Sequence, residues 1–538
     1  MEVELAYVLS FLIVVGFLYR WLNKNRDYFR DKPIPSIPIK PILGSTGPLF
    51  LKQVALANFV KSLYEKYAGS KVVGFFDINS PMYMFRDPEL IKKIGVKDFD
   101  HFMDHRPVLG KNYVDHSETL FPKTLFALSD QKWKNMRATL SPAFTGSKMR
   151  QMFDLVRECC ERLVKFYQDE IGSERIGREY EMKDVFSRFT NDVIATAAFG
   201  IKVNSSQDRD NDFYVQGKKM MQFNRLSVAF RVIGYRLLPS VLSLFGVDII
   251  DQEQRKYFSS IIREAVKTRE AQRIIRPDMI NLLMEARKGL LQHQKESEQN
   301  EGFATVEESE IGKARVAKLI TEAEMIAQCL IFFLAGFDTV STCLTFLIYE
   351  LTLNRDVQDK LYEEIMETYH SLDGQSLTYD ALQKMKYMDM VVSEALRMWP
   401  PIAAMDRLCV RDYELDDMEG LRFTISKGTG VWLPIHGLHH DPKYYPTPEK
   451  FLPERFSDEN KSSINLGSYL PFGIGPRNCI GSRFALMEVK AIVYYMLKSF
   501  TFKKTPNTQV PLILKKGASG SEAEEGVFVE FRPRNATE

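Results

Sequence analysis

The segment Pro471-Phe472-Gly473-Ile474-Gly475-Pro476-Arg477-Asn478-Cys479-Ile480-Gly481 sets one thiol among closely spaced glycines and beside a guanidinium. Glycine lets backbone pack closely against something flat or large. Phe484, Met487, Glu488, Ala491, Ile492 and Tyr495 follow at helical spacing, so Cys479 stands just before a helix. The free N–H groups and dipole of a helix start favour a thiolate. Such a thiolate can hold a metal, whose potential is then tuned by hydrogen bonds to the sulfur. Arg477 is placed to meet a carboxylate. Taken alone, the same residues also describe a tight turn around a buried thiol.

Three other constellations are spaced for chemistry or for its support. In Ala335-Gly336-Phe337-Asp338-Thr339 an acid adjoins a hydroxyl, the pairing that carries protons inward from water. Gly336 would let a ligand approach a helix, and Thr339 can exchange its helical bond for one to water or oxygen. A packing glycine beside a back-bonded threonine fits the same residues. Glu394-x-x-Arg397 is an i,i+3 ion pair on one helix, worth little on a surface. Trp133-x-x-x-Arg137 sets an indole N–H and a guanidinium one helical turn apart, a pair suited to a carboxylate ligand.

Composition argues against other classes. The six cysteines contain no CxxC pair, and the eight histidines form no HExxH, so neither a disulfide framework nor a zinc site is indicated. Lys+Arg 72 against Asp+Glu 70 leaves +2, which argues against a nucleic-acid binder driven by bulk charge. Hydrophobic residues at 45% provide for a large core and exclude wholesale disorder.

The spacing F-G-x-G-x-R-x-C-x-G resembles the haem-thiolate signature of the cytochrome P450 superfamily. The resemblance extends along nearly the whole chain. Ala335–Thr339 resembles the family's oxygen-activating motif. Glu394 and Arg397 match its E-x-x-R, and Phe451-Leu452-Pro453-Glu454-Arg455-Phe456 matches its P-E-R-F. Trp133 and Arg137 match its W-x-x-x-R. The wording around Phe333–Thr339 and Pro476–Cys479 looks like insect microsomal detoxification enzymes, relatives of the mammalian 3A subfamily. The implied fold is mainly α with small β-sheets, a helical bundle with haem b between a long central helix and the cysteine-loop helix. The implied site has Cys479 as iron ligand, with Arg477, Phe472, Gly473, Gly481 and Ala335 around the cofactor. Trp133, Arg137, Arg407 and His105 would meet its propionates. His105-Arg106-Pro107 stands where relatives often have Arg-Arg-Pro, which puts the His105 contact in question. Asp338 and Thr339 would be catalytic, and Glu394, Arg397 and Arg455 a structural network. Tyr113, Phe121, Phe333, Phe337, Ile402, Ala403 and Met405 would line the substrate pocket.

Other elements must position these residues. Leu5 to Tyr19 is an uncharged apolar run, extended by Trp21 and Leu22, and flanked by Arg20, Lys24, Arg26, Arg30 and Lys32. Glu2 and Glu4 ahead of it, and large residues after it, favour a retained signal anchor at 1–22 over a cleaved signal peptide. Positive charge after the run keeps the body on the cytosolic side. Pro33, Pro35, Pro38 and Pro41 make 23–42 a stiff basic hinge, leaving 43–538 as the catalytic body.

Within the body, Lys71–Phe76 and Met82–Phe85 read as strands. Asp87-Pro88-Glu89 opens a helix. The charge-rich stretch Gln292–Glu310 reads as a surface loop. Thr321-x-x-Glu324 is a capping box opening an apolar helix from Met325 to Tyr349. Asp338 in its middle argues for a buried core helix over a second membrane span. Leu512–Leu514 and Val527–Phe531 read as a hairpin.

The resemblance implies monooxygenation of lipophilic xenobiotics such as insecticides or plant toxins at the endoplasmic reticulum membrane. An endogenous lipid or hormone is the alternative substrate, and a non-catalytic haem reservoir or sensor the alternative class. O2 is a substrate. NADPH electrons would arrive through NADPH-cytochrome P450 reductase, with cytochrome b5 as a further partner, because the chain has no flavin or dinucleotide fingerprint. Lys132, Lys134, Lys148 and Arg150 offer a basic docking face.

Overall fold

The computed structural model describes residues 23–40, 43–106, 119–172, 177–222, 247–291, 302–314, 319–518 and 520–534, with scattered positions before 23 and between 231 and 245. Its centre is helix α8 (Glu322–Leu353). Thr321 caps it by a box in which Thr321 accepts from Glu324 N and Glu324 reaches back to Thr321 N. Among the described residues α8 alone is long and apolar enough to cross a membrane, and 67% of its apolar window is buried inside the protein. That matches the buried-core reading. The described positions of the N-terminal run are helical, and Tyr7, Leu9, Leu12, Ile13, Val15 and Tyr19 expose their side chains.

Helices surround α8. Named in chain order, they are α1 (Leu56–Lys66), α2 (Asp130–Leu140), α3 (Gly146–Ile171), α4 (Met182–Ala198), α5 (Asp212–Met220), α6 (Gln252–Gln272), α7 (Met279–Arg287), then α8 itself, α9 (Arg355–Ser371), α10 (Lys386–Met398) and α11 (Ser482–Ser499). Helix α4 is buried along almost its whole length and lies against α8. Helices α7, α10 and α11 also pack on α8.

The sheets are small. A four-stranded sheet has the order β1 (Val72–Asp77), β2 (Ser80–Phe85), β7 (Gly430–Leu433), β4 (Met405–Leu408). Strands β2 and β7 run parallel, with Tyr83 opposite Val431, and the other pairs are antiparallel. A second sheet joins β3 (Arg178–Glu181), β9 (Phe528–Pro533) and β8 (Phe500–Lys503), and β5 (Tyr413–Asp416) pairs with β6 (Arg422–Ile425). Asp87 caps the helix Pro88–Lys92, its carboxylate accepting from Glu89 N and Leu90 N.

The expected C-terminal hairpin does not form. Strand β9 pairs with β3 and β8, and Leu514 makes a lone bridge to Ala523. Alternation marked β9 as a strand but carried no information on its partner.

The core has two parts. One is helical and runs through α3, α4, α8, α10 and α11; the other joins α1 to the four-stranded sheet. Trp399 packs against both, stacking on Phe346 of α8 at 4.8 Å. Its indole donates to the buried Glu350 at 2.7 Å. Burial pushes the Glu350 carboxyl up to about 7.

Candidate active site

Cys479 sits three residues before α11, whose N-cap is Gly481. Gly473 and Gly475 have φ of +81° and +70°. A side chain at Gly473 would strike Met405, and one at Gly475 the backbone of Gly95. These glycines therefore fold the loop onto its own protein neighbours. Cys479 N–H donates to Phe472 O at 2.8 Å, closing the loop.

The Cys479 side chain is accessible, whereas Arg477 and Asn478 before it are buried. Yet desolvation by the surrounding protein pushes the thiol up, against the Gly481 backbone N–H and the charge of Arg137, which favour the thiolate. In this setting a cation bound to sulfur would hold the thiolate.

Helix α8 also has an open face. Ala335 is exposed and Thr339 half-exposed, although Leu334, Phe337 and Val340 beside them are buried. Residues i and i+4 share a face, so an open strip runs along an otherwise packed helix. Thr339 Oγ1 donates to Ala335 O at 2.6 Å. Gly336 is turned away from this strip. A Cβ there would meet Ile194 of α4 at 3.1 Å, so Gly336 brings two helices together and does not open α8 to a ligand.

Asp338 is turned about 100° from Thr339 around α8 and is paired with Lys183 of α4 at 2.8 Å. Lys183 also donates to Ser341 Oγ at 2.9 Å and Thr342 Oγ1 at 2.7 Å. A cavity of about 190 Å³ adjoins Lys183 and Thr342 and is lined further by Glu181, Thr345, Phe346 and Glu522. Nothing in the sequence singled out Lys183, which lies 155 residues from its partner.

Arg477 donates to the carbonyls of Met103 at 2.8 Å and Leu128 at 2.7 Å, to Asp104 at 3.3 Å, and lies 4.2 Å from the Trp133 ring. It thereby knits the cysteine loop to α2 and its approach. Arg407 has no exposed surface and donates to the carbonyls of Asp406 and Ile474. Its Nε has no acceptor among the described residues. Burial pushes Arg407 down to about 10, and burial with the charge of Arg407 pushes Arg477 down to about 9. An anionic ligand beside this pair would restore both. The donor set of one accessible thiol, an unpartnered buried guanidinium nitrogen and an open helix face fits a flat, anionic, thiolate-ligated haem.

Two expected propionate partners are engaged with protein. His105 Nδ1 pairs with Asp406 at 3.0 Å, its ring stacked on Phe126 at 4.6 Å. Burial pushes its pKa down despite Asp406. Arg137 bonds Glu308 at 2.7 Å and donates to Asn478 O and Oδ1, both at 2.8 Å.

Glu394 and Arg397 have no exposed side-chain surface. Glu394 accepts from Arg397 Nε at 2.7 Å and Nη2 at 2.8 Å, from Leu452 N at 2.9 Å, and from Arg455 Nε at 3.3 Å. Arg397 donates onward to His439 O, Pro448 O and Lys450 O. His439 extends the network to the loop: Leu470 N–H donates to its Nε2 at 2.9 Å, so the ring proton sits on Nδ1, facing Arg397 O at 3.1 Å. Burial holds this ring neutral. Sequence reasoning passed over His439, Glu308, Asp104 and Asp406.

Of the expected pocket residues, Tyr113 lies outside the described residues. Phe333 has no exposed surface and packs with Phe199, Phe213, Phe258 and Phe337. Phe121 and Ala403 are also buried, Ile402 is exposed, and Met405 rests half-buried on Gly473. On the docking face, Lys134 is paired with Asp100 and Arg150 with Asp380, whereas Lys132 is exposed.

The cytochrome P450 family profile matches residues 35–529. The chain belongs to the cytochrome P450 family. It is 42% identical over 530 residues to "Probable cytochrome P450 9f2" of Drosophila melanogaster, covering 98% of each chain. It is 42% identical over 526 residues to "Cytochrome P450 9e2" of Blattella germanica, covering 95% of each. "Cytochrome P450 6k1" of Blattella germanica is 33% identical over 97% of this chain and 96% of its own. These relatives are insect P450s, members of a family of haem monooxygenases.

Proposed function

We propose that this P450 inserts one atom of O2 into lipophilic small molecules, chiefly xenobiotics, at the endoplasmic reticulum membrane. NADPH would supply electrons through NADPH-cytochrome P450 reductase, with cytochrome b5 as a second donor. The observation that carries this reading is the accessible thiol of Cys479 just before α11, in a chain whose other cysteines are buried. Bound haem would supply oxygen activation and insertion, with the thiolate favouring O–O cleavage.

The chain's own residues do the rest. Arg407 would hold an anionic edge of the cofactor through its unpartnered Nε, and Arg477 with Trp133 fixes the loop. Thr339 can release Ala335 O and turn its hydroxyl toward the open strip. Asp338, paired with Lys183 beside a cavity that also holds Glu181 and Glu522, passes protons inward. Ile402 and Met405 contribute apolar, adaptable surface for varied ligands. The anchor at 1–22 and hinge at 23–42 would hold the body at the cytosolic face, near lipid-dissolved substrate.

Reconstitution with reductase and NADPH in lipid vesicles tests this reading, with NADPH consumption and oxygenated product measured together. Product from lipophilic xenobiotics is expected. NADPH consumption without any oxygenated product would favour a haem reservoir or sensor, and turnover restricted to an endogenous lipid would favour that substrate class. Thr339→Ala should keep the haem spectrum while product per NADPH falls by about 10²-fold, the low end for loss of a proton-transfer group. Full coupling in that variant would refute the role given to Thr339.

A further inference from the structure

The charge-rich stretch expected to be a solvated loop is, in its second half, packed against the cysteine loop. Gly302 lies so close to Asp389 and Lys490 that a Cβ there would have to displace the ends of both side chains. Phe303 N–H donates to Asp389 Oδ2 at 2.8 Å, and its ring packs on Phe456 at 5.1 Å and Tyr469 at 5.3 Å. Ala304 is buried. Glu307 O then accepts from Asn478 Nδ2 at 3.0 Å. Glu308 accepts from Arg137 Nη2 at 2.7 Å and Nε at 3.1 Å, and from Ser141 Oγ at 2.8 Å. Its Oε1 also takes Ser309 N at 2.9 Å.

Asn478 is the residue before Cys479. It is gripped three times: by Glu307 O, and by Arg137 at both its carbonyl and its side-chain oxygen. Arg137 is itself held by Glu308, with side-chain exposures of 4% and 16%. Removing one partner of so shielded an ion pair leaves an uncompensated charge, which is costly.

We infer that residues 302–309 form a brace on the cysteine loop, in which Glu308 is a positioning residue that fixes the Cys479 sulfur through Arg137 and Asn478. The inference rests on Cys479 being the haem ligand. Its carboxylate also offsets the Arg137 charge, which would otherwise draw electron density from the sulfur. Loss of that carboxylate should loosen the loop and raise the iron potential.

The test uses the full-length haem-loaded protein as wild type, Glu308→Gln, Glu308→Asp, and Glu310→Gln. Glu310 is an exposed acid paired only with Lys313 among the described residues. The readouts are the conversion of the reduced carbon monoxide band from about 450 to about 420 nm on mild warming, the iron midpoint potential, and far-ultraviolet dichroism. Glu308→Gln should convert about tenfold faster while helix signal is native, with its potential shifted upward. Glu308→Asp should recover most of both, and Glu310→Gln should match wild type. A Glu308→Gln protein with wild-type conversion and potential overturns the brace. So does a band lost only together with the helix signal, because Glu308 would then support the fold and not the sulfur. A wild type lacking the band near 450 nm would strike the haem-thiolate reading itself, whereas a normal wild type with an insensitive Glu308→Gln strikes the brace alone.

Discussion

Glu394→Gln is expected to remove about 3–5 kcal/mol of stability, the range for breaking a buried ion pair from one side. Glu394 accepts four hydrogen bonds, three of them from guanidinium nitrogens. The amide replaces one acceptor by a donor that faces donors. Arg397, with no exposed surface, then keeps its charge without a counter-charge. Arg397 also holds the carbonyls of His439, Pro448 and Lys450, and His439 holds Leu470 N just ahead of the cysteine loop. Damage at Glu394 should therefore reach the thiol. Urea unfolding and haem content per protein are the measurements. A lowered midpoint with haem content well below wild type is expected, and a wild-type midpoint would show that the network is not the support described. Arg455→Lys should be milder, because its contact at 3.3 Å is longer and its side chain is 12% exposed.

Cys479→Ala is expected to have the larger effect on function. The other cysteines, at 159, 160, 329, 343 and 409, are buried, and burial pushes Cys159, Cys329 and Cys343 up to about 12. None of them can replace Cys479 as an accessible ligand. Turnover should fall by about 10⁴-fold, the scale for losing a group at the centre of the chemistry. The fold should remain, because Asn478, Arg477 and the glycines of the loop are untouched. Helix content and unfolding midpoint close to wild type, with no thiolate haem signal, are expected. An Ala variant that retained turnover would remove Cys479 from the mechanism.

The parts of the site carried by local pattern were legible in the sequence. Cys479 before a helix, the capping box of Thr321 and Glu324, and the cap at Asp87 all depend on short-range spacing, and each stands in the structure. Burial and distant partners were not legible. Glu394-x-x-Arg397 reads like any surface pair until 0% exposure shows its energetic weight. Lys183, Glu308 and His439 meet their partners across the fold, and no local signal marks them. Gly336 could be read two ways, and only the rotation of about 100° between adjacent helical residues, fixed by packing on Ile194, decides for helix contact. The strand β9 was visible by alternation, but its pairing with β3 and β8 depends on tertiary contacts.

The most direct test of the account is the spectrum of the reduced, carbon monoxide-treated wild-type protein. Haem held by a thiolate at Cys479 predicts a Soret band near about 450 nm, absent from the Cys479→Ala variant. Folded, haem-loaded wild-type protein with its band near about 420 nm, or the same spectrum in wild type and variant, would contradict it.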